Sequence, residues 1–196
     1  MAALALTGIF RTLGELTNLK TGIYQPKMQY ALEVGLYSSA ALLMPLLLFQ
    51  SQFLLGTVVN AMLISGALYL KGKEMLPLII LPSIGTLAKG VLFGPLTVNL
   101  IYMLPFIWMG NAVLIYSIKG LHLKKGFNLP KSAALASIFK SGLLFASAFA
   151  LFSAGFVPPA FLTAFGIMQF VTAFSAGLIL WPVHRWRVNR GRKQNQ

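Results

Sequence analysis

Six apolar runs, roughly 30–49, 53–70, 75–94, 97–118, 132–156 and 160–183, constrain this chain more than any other feature. A helix covers ~30 Å of hydrocarbon with about 20 residues, so each run is long enough, or nearly so, to cross a bilayer. The connections are short: "QSQ", "KGKE", "GP", "VPP" and a longer "KGLHLKKGFNLPK". Charged residues make up only 10% of the 196, against the ~25% that a soluble domain uses to coat its core. The expected fold is therefore an all-α integral membrane protein with six transmembrane helices. No internal repeat or low-complexity tract breaks the pattern. Residues 28–184 form the six-helix domain, 1–27 a segment on the cytoplasmic face, and 185–196 a basic cytoplasmic tail.

Placement of charge predicts orientation. With six crossings, both termini share one side with the 71–74 and 119–131 loops. That side then holds 14 of the 16 Lys and Arg residues, and the opposite loops hold none. By the positive-inside rule both termini are cytoplasmic, in a multi-pass protein of the cell membrane. A net charge of +13 could suggest nucleic acid, but the basic tail "HRWRVNRGRK" directly follows an apolar run bracketed by Trp181 and Trp186. Anionic lipid headgroups account for it, and no nucleic-acid partner is expected.

In residues 1–24, Leu6, Ile9, Phe10, Leu13 and Leu16 recur at helical spacing, with Arg11, Glu15, Asn18 and Lys20 mostly elsewhere. This predicts an N-terminal amphipathic interfacial helix on the cytoplasmic face. A secretory signal peptide is not expected, because no Lys or Arg precedes the apolar stretch.

Chemistry-bearing residues are few. There are no cysteines and only three acids, and neither HExxH, GxSxG nor a phosphate-binding glycine loop occurs. Both histidines, His122 and His184, fall at the cytoplasmic boundary, which argues against haem. No enzyme activity, cofactor or metal is expected. Two cations lie inside apolar runs, Lys89 and Lys140. A charge at that depth costs roughly 2.5–3.5 kcal/mol on insertion scales and commonly faces a cavity or a partner.

Pro82, Gly85, Gly90 and Gly94-Pro95 surround Lys89, and irregular backbone at depth is tolerated beside protein or a polar cavity. Lys89 is thus the expected anchor of an outward-facing pocket. Asn60, Asn99, Tyr102, Asn111 and Gln169, at outer-half or deeper positions, are expected to share in binding a small molecule. Lys140 is expected to snorkel to the inner headgroups or to pair with Glu33. In the first run Ala31, Gly35 and Ser39 are spaced by four, a small-residue ridge that admits a second helix. It is either an internal seam or a docking face.

These residues resemble the substrate-binding S components of energy-coupling factor (ECF) transporters. The segments "LLGTVVNAMLISG", "LPSIGTLAKGVLFGP" and "LPFIWMGNAVLIY" also look like S-component-like bacterial membrane proteins, and the likeness covers about residues 30–183. The family has an Ala-x-x-x-Ala-type motif on its first helix, which Ala31, Gly35 and Ser39 match in spacing and size. The resemblance implies six helices, capture of a vitamin or similar micronutrient from outside, and docking of the ridge on a transmembrane T component. Two ATPase subunits would supply the energy. The alternative from another class is a non-catalytic anchor or scaffold subunit of a larger membrane complex.

Overall fold

Capping residues and chain breakers set the helix boundaries in the computed structural model, which describes residues 11–22, 26–47, 51–90 and 94–194. The described part of α1 covers residues 11–18. It is followed by α2 (Lys27–Leu47), α3 (Gln52–Tyr69), α4 (Leu76–Lys89), α5 (Leu100–Ile118), α6 (Leu129–Ser153), α7 (Ala160–Phe165) and α8 (Ile167–Gln194). No strand occurs among the described residues. Ser51 caps α3, its side chain accepting from the Leu54 N–H at 3.2 Å. Asn128 caps α6 in the same way through Lys131 N–H at 2.9 Å, with Pro130 in the first turn, where its missing N–H costs nothing.

Among the described residues, five helical stretches are long and apolar enough to cross a membrane: Lys27–Leu47, Gln52–Tyr69, Leu96–Lys124, Leu129–Ser153 and Ala160–Gly191. The expected third span, 75–94, differs. α4 has 14 residues, about 21 Å of helix, and stops at Gly90, whose φ of +65° forms a left-handed cap. A short 3-10 helix over Gly94–Asn99 then leads into α5. α4 is nevertheless integral to the bundle. It packs against α2 and α5, and a Cβ at Gly85 would lie 2.6 Å from the Leu42 carbonyl oxygen.

Cross-bonds fix the helix directions. Ile79 pairs with Asn111 and Ser83 with Trp108, so α4 and α5 are antiparallel. Gln52 reaches Ala164, Asn60 reaches Thr172 and Tyr69 reaches His184, so α3 runs parallel to α7 and α8. Glycine brings helices together where a larger residue would clash. A Cβ at Gly177 would sit 2.2 Å from Ala133 Cβ, and one at Gly110 would sit 3.0 Å from Leu144. Small-residue contact of this kind is what holds helices together when lipid removes the hydrophobic drive between them.

The basic end is tied by polar bonds. The Thr21 N–H and hydroxyl both donate to the Leu68 carbonyl, at 2.8 and 2.9 Å. Lys119, fully buried, donates to the carbonyls of Leu70, at 2.9 Å, and Leu19. α1 thus docks on the bundle through protein contacts. Among its described residues one side chain is buried, Leu16, which lies against Gly120, whereas Leu13 is exposed. Of the other expected apolar positions, Leu6, Ile9 and Phe10 lie outside the described residues. The expected basic tail is helical as far as Gln194, continuing α8.

Candidate functional site

Two apolar clusters fill the bundle. One, at the basic end, contains Leu63, Leu68, Leu78, Ile115, Ala133 and Ala176. The other, at the remote end, contains Leu100, Met103, Leu144, Phe161 and Phe165. Between them lies a polar layer contributed by α3, α4, α5, α6 and α8.

Lys140 is the centre of that layer and is only 2% exposed. Its Nζ donates to Asn60 Oδ1 at 2.6 Å and to Asn111 Oδ1 at 2.9 Å. Each amide is anchored in turn. Asn60 Nδ2 donates to Thr172 Oγ1 at 3.0 Å, and Asn111 Nδ2 donates to the Ile79 carbonyl at 2.9 Å. Trp108 Nε1 donates to Ser83 Oγ at 2.8 Å in the same region. Both amide oxygens are therefore aimed at the ammonium, one from α3 and one from α5. Gly56 permits this arrangement, since a Cβ there would lie 2.9 Å from Thr172 Cγ2 and 3.2 Å from its Oγ1.

An ammonium carries three N–H groups, and two are engaged by protein. The third has no protein acceptor among the described residues. Lys140, Asn60 and Asn111 line a cavity of about 90 Å³ that also touches Ser83, Thr86, Gln169 and Thr172. One water needs ~10–15 Å³ measured this way, so the space exceeds a single solvent site. Its other walls are mostly apolar, including Leu55, Val59, Ile107, Phe165 and Met168. Gln52, the first residue of α3, lines it too, so the cavity runs from mid-bundle to the end remote from the basic loops.

No carboxylate borders this space, and none is in reserve. Glu33 takes a bidentate bond from Arg187, at 2.7 and 2.9 Å. Glu15 pairs with Lys124 at 3.0 Å and with Arg11, and Glu74 accepts from Tyr30 Oη. These are the chain's three acids, and all lie toward the basic end. Burying an ammonium without a counter-charge is expensive, and two neutral amides offset only part of the cost.

Three of the expected site residues, Asn60, Asn111 and Gln169, come together on the cavity wall. Asn99 lies at the remote end, where its Nδ2 donates to the Phe156 carbonyl at 2.9 Å. Tyr102 is exposed and packs on the Phe156 ring, with centroids 5.2 Å apart. Neither lines the cavity. The backbone of Lys89 closes α4, one turn past Thr86, but its side chain lies outside the described residues. Lys140 neither snorkels nor takes Glu33, which Arg187 holds instead. Sequence reasoning also missed Thr172 and Ser83. Depth along each helix led to the expectation that Lys140 lies below the pocket, whereas it bonds Asn60 and Asn111 and lines the same cavity. The rotation of each helix about its axis was not readable.

On α2, Ala31, Gly35 and Ser39 are all exposed, and a Cβ at Gly35 would meet nothing within 4 Å. The neighbouring Met28, Leu32, Leu36 and Leu43 are exposed as well.

The histidines form a separate polar chain at the basic end. Tyr69 Oη lies 2.9 Å from His184 Nδ1, His184 Nε2 lies 3.2 Å from His122 Nε2, and His122 Nδ1 lies 2.6 Å from the Phe127 carbonyl. That carbonyl can only accept, so with both rings neutral His122 carries its proton on Nδ1 and His184 on Nε2. Tyr69 then donates. Among the described residues no group of three or more metal-ligating side chains occurs.

No protein-family model, curated protein or solved structure matches the chain.

Proposed function

We propose that this chain is a membrane-embedded binding subunit for a small molecule, working as the substrate-capturing component of an ECF-type importer. The observation that carries the binding reading is Lys140. It is a buried ammonium with one unspent N–H, set in a partly open cavity with mostly apolar walls and no carboxylate. A ligand with an anionic or strongly accepting oxygen supplies the missing partner, and its apolar body fits against Leu55, Ile107 and Met168. Entry is from the end remote from the basic loops, which on the positive-inside rule is the outer face.

In this reading α4 is a sixth, short crossing. Its residues run from the basic end at Met75 toward the opposite end, and α5 returns. Both termini are then cytoplasmic in a cell-membrane protein. The exposed Ala31–Gly35–Ser39 ridge is the docking face for a transmembrane T component, and two ATPase subunits drive uptake. No catalytic step is assigned to the chain itself.

Native mass spectrometry of the wild-type protein, released gently from its membrane, tests the binding reading. A retained small molecule lost in Lys140→Met supports it. The same ligand retained at equal affinity by that variant refutes the role of Lys140. Co-purification separates the importer from a scaffold, for which the same α2 face is the support. ATPase and T subunits recovered with the chain favour transport, and enzyme subunits favour anchoring.

A further inference from the structure

A second cavity lies at the basic end, where α8 changes from apolar to basic. It has a volume of about 270 Å³ and lies between the start of α6 and the last turns of α8. Arg185, Asn189, Asn128, Trp181, His122 and His184 line it. No acidic residue borders it. We propose that this cavity binds the phosphate of one anionic phospholipid, a site distinct from the Lys140 cavity and independent of the small-molecule reading.

Three observations carry the assignment. The first is which cation remains available. Arg187 is committed to Glu33 and lies over the Tyr69 ring at 4.0 Å, and Arg190 lies over Trp186 at 5.4 Å. Arg185 has no acceptor among the described residues, and it faces the cavity. The second is the supply of neutral donors. The Asn128 oxygen is spent capping α6, which leaves its amide N–H groups, together with those of Asn189, for phosphate oxygens. The third distinguishes a lipid from a free anion. Leu129 and Val188 contribute apolar wall, and Leu178, Ile179 and Trp181 are exposed on α8 just before the cavity. That strip lies on the membrane side of the cavity, where acyl chains would follow a headgroup seated beside Arg185. Basic pockets between helices at the cytoplasmic face suit anionic headgroups for the same electrostatic reason.

The test uses the full chain in mixed micelles of phosphatidylcholine and phosphatidylglycerol, with retained lipid read by native mass spectrometry. One phosphatidylglycerol is expected to stay bound while phosphatidylcholine is lost. Arg185→Ala should weaken retention about tenfold or more, as loss of a charge-assisted bond does. Arg190→Ala, outside the cavity, should leave it unchanged. Melting in neutral detergent without lipid confirms that both variants fold as the wild type does, and Arg185→Gln replaces Arg185→Ala if the latter does not. Equal losses in the two arginine variants would reduce the effect to diffuse charge and overturn the site. Equal retention of the two lipids would do the same. Displacement of the lipid by millimolar inorganic phosphate would reassign the cavity to a soluble anion.

Discussion

Lys140 shows how one residue can be expensive to fold around and still be kept. Its two bonds to Asn60 and Asn111 hold the ammonium at the junction of α3, α5 and α6, and the remaining N–H faces the cavity. Loss of a charge-assisted hydrogen bond costs about 1.5–3 kcal/mol, so Lys140→Met should weaken ligand binding roughly 10- to 150-fold, as measured by titration in nanodiscs. Lys89→Met, one turn beyond the cavity residue Thr86, should have a smaller effect. The reverse order would move the anchor to the mouth. Lys119 provides a contrast, because both of its acceptors are backbone carbonyls just past the ends of α1 and α3, which it joins. Lys119→Met should leave ligand affinity unchanged and lower stability by about 1.5–3 kcal/mol, read from denaturation in mixed micelles. Unchanged stability would mean that Thr21 alone secures the segment.

At the scale of elements, α4 and α1 are each defined by how they end or are held. α4 stops at Gly90 in a left-handed conformation that a Cβ disfavours by about 1–2 kcal/mol. Gly90→Ala should therefore destabilise the protein by that amount and disturb the junction with α5. A variant as stable as the wild type would show that Gly90 does not hold the cap. α1 is tied near its middle by Glu15, whose carboxyl the Lys124 hydrogen bond and charge hold below the usual carboxylate range. A lowered carboxylate favours the docked state above its unfolded pKa and loses that contribution as pH falls through the folded value. Amide exchange across residues 11–18 should thus stay slow at neutral pH and quicken below the usual carboxylate range. Lys124→Ala should shift that onset to higher pH, and an unshifted onset would assign the docking to Leu16 and Thr21 alone.

For the whole molecule, the asymmetry of charge makes a topological prediction. Single cysteines at Gly72 and Gly126, in a chain that has none of its own, should label only from the cytoplasmic side. Cysteines at Ser51 and Pro158 should label only from outside. Access to Gly72 from outside would mean that α4 does not complete a crossing. The exposed face of α2 makes a second prediction at this scale. Since a side chain at Gly35 meets nothing inside the protein, Gly35→Leu should leave the isolated fold intact while blocking a close-packed partner, measured by co-purification. A variant that unfolds would contradict the open surface around Gly35.

Amino-acid order alone determined that the chain is helical and apolar on the scale of a bilayer, because hydropathy and run length are local sums along the sequence. It also concentrated the basic residues at one end, but it ran the third span on to residue 94 and did not separate the cap at Gly90 from Pro82 and Gly85, which lie inside α4. Asn60, Asn111 and Gln169 were legible as site candidates because a polar side chain in an apolar run needs a partner wherever it points. Only the tertiary structure decided that the partner is Lys140 and that Glu33 belongs to Arg187. It also decided that Asn99 and Tyr102 turn to Phe156 instead. The reason is geometric. Sequence gives the depth of a residue along its helix, whereas the contacts it makes depend on the azimuth of that helix. Azimuth is set by close approaches such as Gly56 on Thr172 and Gly177 on Ala133, which exist only once the helices have packed.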